Sequence, residues 1–152
     1  MKESLKDAIV SSNTINEAEE KLISTLDEIR HQNPEIRVYF VSGIVTSDGP
    51  SFVKRNLQVL QDRALRIAEK VDGIVFSAAN IFNSELFKKF DSAGATNEDY
   101  LIFWERVLNS GQITDVVMTP RWEESGGARR ENETAITIGL QIHDYQDIIG
   151  ES

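Results

Sequence analysis

The sequence has no cysteine, three prolines, two histidines and no hydrophobic run approaching the length of a membrane-spanning helix. Without cysteine there is no disulfide framework, no thiolate nucleophile and no cysteine-based zinc site, and His31 and His143 lie too far apart in sequence to resemble a helical metal pair. A metal would need carboxylates alone, and the expectation is a protein with neither metal nor cofactor. Basic residues are scarce as well: 16 Lys and Arg stand against 25 Asp and Glu, a formal charge of −9. Neutralising a phosphate polymer takes clustered cations, and here adjacent cations occur only as separate pairs such as Arg129-Arg130, which argues against DNA or RNA and leaves room for a small anion. Met1-Lys2-Glu3-Ser4 opens onto no signal-peptide core, so a soluble, cytoplasmic protein away from membranes is expected.

What is present suffices for a core. The chain of 152 residues is 40% hydrophobic and 27% charged, with seven Phe, three Tyr and two Trp. That is one ordinary domain, able to fold alone or as a small oligomer.

Residues 1–33 are polar and helical in period, with Thr14-Ile15-Asn16-Glu17 reading as a capping box before a face of Ile15, Ala18, Leu22, Leu26 and Ile29. Pro34 ends this N-terminal helical extension, taken as residues 1–35. Residues 36–45 are β-branched and aromatic enough for a strand buried on both faces. Ser47-Asp48-Gly49-Pro50 is turn chemistry, and Phe52, Val53, Leu57, Leu60, Ala64, Ile67, Ala68 and Val71 then recur at helical spacing. Residues 73–77 form a second short strand, followed by an irregular stretch through Asn80 and Asn83 and a short helix near Leu86-Phe87-Phe90. Thr96 with Asp99 signals another cap, ahead of Tyr100, Phe103, Trp104 and Val107. A strand at 115–119, a loop from 120 to 127, a helix from 128 to about 139 and a last strand at 140–143 complete the chain.

Strand and helix alternate, which predicts an α/β fold: a three-layer, mostly parallel, Rossmann-like sheet of about five strands in residues 36–152, with the extra N-terminal helix. Such sheets bind ligands beyond the carboxyl ends of their strands, where the loops after Val41, Phe76 and Thr119 fall.

One of those loops runs Trp122-Glu123-Glu124-Ser125-Gly126-Gly127-Ala128-Arg129-Arg130-Glu131. Gly126 and Gly127 either let the backbone approach an anion at the helix start, with Ser125 adding a hydroxyl, or only make a tight turn. On a helix starting near Ala128, Glu131 shares a face with Ala128, Ala135 and Ile138. It is either an inward-aimed carboxylate held ionised by the first-turn dipole or a solvated first-turn Glu. Trp122 lies in the loop where a base could stack, whereas Trp104 reads as core. Asn56 and Asp48 sit near the first loop.

The pattern Trp122-Glu123-x-Ser125-x-Gly127-Ala128-x-x-Glu131-x-x-x-Ala135-x-x-x-Gly139-Leu140, behind a strand at 115–119, resembles the nucleoside 2-deoxyribosyltransferase-like superfamily, above all its small uncharacterised branch carrying the domain of unknown function 4406. Tyr39-Phe40-Val41-Ser42-Gly43 resembles that family's opening strand end, although Ile44 stands where a Pro is usual. The resemblance spans roughly residues 36–143. It implies that Glu131 attacks the anomeric carbon of a nucleoside or nucleotide, that the loop at Tyr39, Ser42 and Gly43 lies beside the sugar or phosphate, and that no cofactor takes part. Ser125 matches the position where relatives acting on nucleoside 5′-monophosphates carry a phosphate-binding serine. A second acid is implied on the helix before the 115–119 strand, with Glu105 preferred over Asp99 and Glu98. Family members are often homo-oligomers.

Three functions are therefore carried forward. The first is an N-glycosidase or transferase in which Glu131 and Glu105 act at the bond to the base. The second is a non-catalytic nucleotide-binding module, and the third a domain acting through protein contacts, with residues 1–33 as an arm on another subunit.

Overall fold

A computed structural model describes residues 2–45, 48–82 and 84–150. Met1, Ser47 of the expected first turn and Asn83 of the irregular stretch lie outside the described residues. The N-terminal segment, expected as one helix, forms two: α1 (Lys2–Val10) and α2 (Ile15–Gln32). Ser11, Ser12 and Asn13 separate them, since short polar side chains offer the backbone local hydrogen bonds that compete with a helix. Thr14 then caps α2, its Oγ1 accepting from the Glu17 N–H at 3.1 Å. The Glu17 carboxylate reaches past Thr14 and accepts from the Asn13 N–H at 3.3 Å, so half of the expected capping box forms. The apolar faces of both helices, Leu5 and Ile9 with Ala18, Leu22 and Leu26, are buried in the same cluster as Phe40 and Phe76. Residues 2–35 thus supply part of a layer over the sheet.

The sheet is parallel throughout, in the order β2-β1-β3-β4, with β1 at Val38–Ser42, β2 at Ile74–Ser77, β3 at Asp115–Met118 and β4 at Gln141–Asp144. Four strands stand where about five were expected. After β4 the chain turns directly into α8 (Tyr145–Ile149), capped by Asp144, whose Oδ1 accepts from the Gln146 N–H at 3.0 Å. Between the strands run α3 (Val53–Lys70), then α4 (Ala78–Ile81), α5 (Ser84–Ser92) and α6 (Asn97–Asn109), then α7 (Gly126–Ile138). The expected cap at Thr96 forms in full, with Thr96 and Asp99 each bonding the other's backbone N–H.

Strand alternation divides the core in two. Val38 and Phe40 of β1, with Phe76 and Val116, face the larger cluster under α1, α2, α5, α6 and α7. Val41, Val75 and Val117 face a smaller one under α3 and α8. The chain leaves β1 toward one sheet edge and β3 toward the other. Right-handed crossovers therefore put α3 and α7 on opposite faces and open a crevice at the carboxyl ends of β1 and β3. Among the described residues no helix is long and apolar enough to cross a membrane.

Candidate functional site

That crevice holds a pocket of about 630 Å³. Its floor is the end of β1 and the start of α7: Ser42, Gly43, Ser125, Gly126, Gly127 and Glu131, six of the residues singled out in the sequence, all line it. Its walls come from α3 (Lys54, Leu57), α5 (Phe87, Asp91) and α6 (Asn97, Tyr100, Leu101, Trp104), with Phe82 between.

Local chemistry explains the floor. Thr119 follows β3, and both its N–H and its hydroxyl donate to the Ser42 carbonyl, at 3.1 and 2.8 Å. A Cβ at Gly43 would collide with the Thr119 Oγ1, so only glycine lets the two strand ends approach this closely. Ser125 is the N-cap of α7, its Oγ accepting from the Ala128 N–H at 3.2 Å. The helix therefore begins at Gly126, two residues earlier than the sequence suggests. A Cβ at Gly127 would press on Leu101 at 3.1 Å, whereas at Gly126 the nearest atom is an Arg129 nitrogen at 3.8 Å, so Gly127 serves α6–α7 packing and Gly126 stands open.

Glu131 points inward, as its face with Ala128 and Ala135 predicts, while Ile138, assigned to that face, is exposed. The carboxyl is 8% exposed and accepts from the Ser42 hydroxyl at 2.6 Å through Oε1; Oε2 has no partner among the described residues. Burial pushes its pKa up to about 7, against the opposing pull of the Ser42 hydrogen bond. The reading of an inward first-turn glutamate whose ionised form the dipole stabilises is corrected on two counts. With the helix starting at Gly126, Glu131 lies in the second turn, and desolvation outweighs the dipole, which fades beyond the first turn.

The other three expected site residues lie elsewhere. Tyr39 is on β1 but of the opposite parity to Ser42, so its ring turns to the far face and packs on His143, centroids 5.9 Å apart. Trp122 sits in a single turn of 3-10 helix and packs against the larger core cluster, outside the pocket lining. Glu105 is held by Arg130 at 2.6 Å, and the same guanidinium takes Glu98 at 3.0 and 2.8 Å. Asp99 is committed to the α6 cap. None of the three acids proposed on α6 lines the pocket; the carboxylate that joins Glu131 there is Asp91, which accepts from the Tyr100 hydroxyl at 2.9 Å. Trp104, read as core, serves both roles: it stacks 4.8 Å from Phe40 and lines the pocket.

Sequence reasoning missed Asp91 and Lys54. Neither stands in a motif, and each reaches the pocket only because α3 and α5 pack where they do. Asn56 and Asp48 brace the loop: Asn56 Nδ2 donates to the Val45 carbonyl and to Asp48, both at 3.1 Å. Asp48 in turn pairs with Arg55 at 3.5 Å and Arg121 at 3.4 Å, linking the loops that follow β1 and β3. Arg121 is the one non-glycine residue with positive φ (67°) among the described residues, and Glu124 holds its guanidinium through two contacts of 3.0 Å. Among the described residues no three His, Asp or Glu are grouped to hold a metal. No family model, curated protein or solved structure gives a significant match to this chain.

Proposed function

We propose that this protein cleaves or transfers at the N-glycosidic bond of a nucleoside or nucleoside 5′-monophosphate, with Glu131 as nucleophile. One observation carries the reading: a buried carboxyl with one uncommitted oxygen lies at the floor of a pocket walled by Phe82, Phe87, Tyr100 and Trp104. Aromatic faces accept a planar base, and the floor then takes the sugar. An ionised Glu131 oxygen attacks C1′, the C1′–N bond breaks, and its electron pair leaves with the base, which takes up a proton from water. Water attacking the glycosyl ester at C1′ gives hydrolysis, a second base gives transfer, and either step returns the carboxylate. Dividing one hard displacement into two through a carboxylate ester is the logic of retaining glycosidases. The Ser42 hydroxyl orients the nucleophile through its 2.6 Å bond to Oε1. With a pKa near 7 the carboxyl is half ionised at neutral pH, so the attack gains rate as pH rises through that value. The proposal extends to a cytoplasmic homo-oligomer.

The runner-up is a nucleotide-binding module in which Glu131 only orients a ribose hydroxyl. The Arg130 ion pairs favour it, because they withhold Glu105 and Glu98 from acid catalysis. Base release, followed by chromatography over a panel of nucleosides and 5′-monophosphates with and without a second free base, separates the two. Release that vanishes in Glu131→Gln supports catalysis. A ligand-dependent rise in Tm with no released base would replace it by the binding module.

A further inference from the structure

The pocket's charges are uneven. Among the described residues it is lined by two carboxyl groups, Asp91 and Glu131, and by one cation, Lys54. The Lys54 ammonium makes no ion pair and no hydrogen bond among the described residues, although the basic side chains around it are engaged. Arg55 pairs with Asp48 and lies 4.4 Å over the Phe52 ring, and Arg121 is held by Asp48 and Glu124. Lys54 is also placed against the local electrostatics. It stands in the first turn of the 18-residue α3, a turn without any acidic residue, and the N-cap Phe52 supplies no side-chain acceptor. A cation at a helix N-terminus adds to the positive end of the dipole and costs stability unless an anion comes to it.

Two further observations mark the same pocket as incomplete. The 13-residue α7 also starts there, at Gly126 and Gly127. Ser125, 4% exposed, accepts from Ala128 but its hydroxyl proton has no acceptor among the described residues. In a chain of net charge −9, an anionic ligand gains from a local concentration of N–H groups and ammonium such as this one.

We propose that Lys54 is the specificity-determining residue of this pocket: its ammonium, at the N-terminus of α3, binds an anionic group on the ligand. The inference rests on the nucleotide reading above, and on it the anion is the phosphate monoester of a nucleoside 5′-monophosphate, which makes the monophosphate the preferred ligand over the free nucleoside. Lys54 holds the charge, and Glu131 is left to the sugar.

Isothermal titration of the full chain with matched pairs of nucleosides and 5′-monophosphates tests it, on wild type, Lys54→Gln and Lys54→Arg, at two salt concentrations. The expected result is a preference for the monophosphate of about tenfold or more, the scale of one charge-assisted hydrogen bond. It shrinks at high salt. Lys54→Gln removes the preference by weakening the monophosphate alone, and Lys54→Arg keeps most of it. Lys54 is exposed, so these variants fold, and unchanged nucleoside affinity is the internal control. A wild type that binds both classes equally, or a preference that survives in Lys54→Gln, overturns the assignment while leaving the nucleotide reading intact. Binding of neither class by wild type overturns both.

Discussion

Replacing Glu131 by Gln keeps the shape of the side chain and removes the titration, so stability as a function of pH reads directly what burial does to this group. Its pKa rises from the ordinary 4.5 to about 7 in the folded protein. A carboxyl whose folded pKa is raised holds its proton more tightly when folded; its contribution is fully present below pH 4.5 and is lost as pH climbs through 7. A difference of about 2.5 units at 1.36 kcal/mol each is about 3 kcal/mol, most of it lost between pH 5 and 7.5. Urea unfolding of the ligand-free protein at half-unit steps from pH 4 to 8.5 measures this, and the difference between wild type and Glu131→Gln cancels every other titrating group. The expected difference curve favours the variant increasingly with pH, with its steep part between the two pKa values and a plateau above 8. Ser42→Ala removes the hydrogen bond that stabilises the ionised form and moves the curve to higher pH. Parallel curves for wild type and Glu131→Gln over the whole range would refute the assignment of a buried, desolvated carboxyl.

Other outcomes follow from the contacts around the site. Gly43→Ala forces a Cβ onto the Thr119 hydroxyl, itself tied to the Ser42 carbonyl, and is expected to lower stability by about 1–3 kcal/mol in denaturant titration; an unchanged midpoint would show that the strand ends have room. Asp115→Asn strips the buried carboxylate from Arg37 (2.7 Å) and His143 (2.7 Å); because both partners are partly exposed, the expected loss is about 1–3 kcal/mol, read as a fall in Tm. Glu105→Gln is expected to leave base release within about twofold of wild type, since that carboxylate serves Arg130; a loss approaching that of Glu131→Gln would restore the acid role its sequence position suggests. Thr96→Ala should cost about 1 kcal/mol through the lost α6 cap, again by denaturant titration.

Legibility in the sequence followed the range of the forces involved. The alternating strands and helices, the α6 cap at Thr96 and the inward face of Glu131 between Ala128 and Ala135 rest on local period and were readable. Strand parity was not: Tyr39 and Ser42 occupy one short strand, yet a run buried on both faces does not reveal which side turns to the pocket. Glu105 illustrates a second limit, because its distance from Asp115 along the chain carries no information about Arg130, one helix away. Lys54 and Asp91 were invisible for a related reason. Each looks like an ordinary surface charge until α3 and α5 are packed beside the β1 end.

The double donation from Thr119 to the Ser42 carbonyl bears on how the pocket meets its ligand. Two bonds to one acceptor, at a point where a Cβ on residue 43 would meet the Thr119 hydroxyl, clamp the central strands together at the place where Ser42 holds Glu131. The floor thus has its shape before anything binds, and the conformational entropy of ordering it is spent during folding. Adjustment to the ligand falls instead on the walls, where Phe87 of α5 and Tyr100 of α6 are only partly buried. Amide exchange should record this division: the Thr119 N–H is expected among the slowest in the chain and indifferent to ligand, while protection gained on binding gathers in α5 and the first turns of α6.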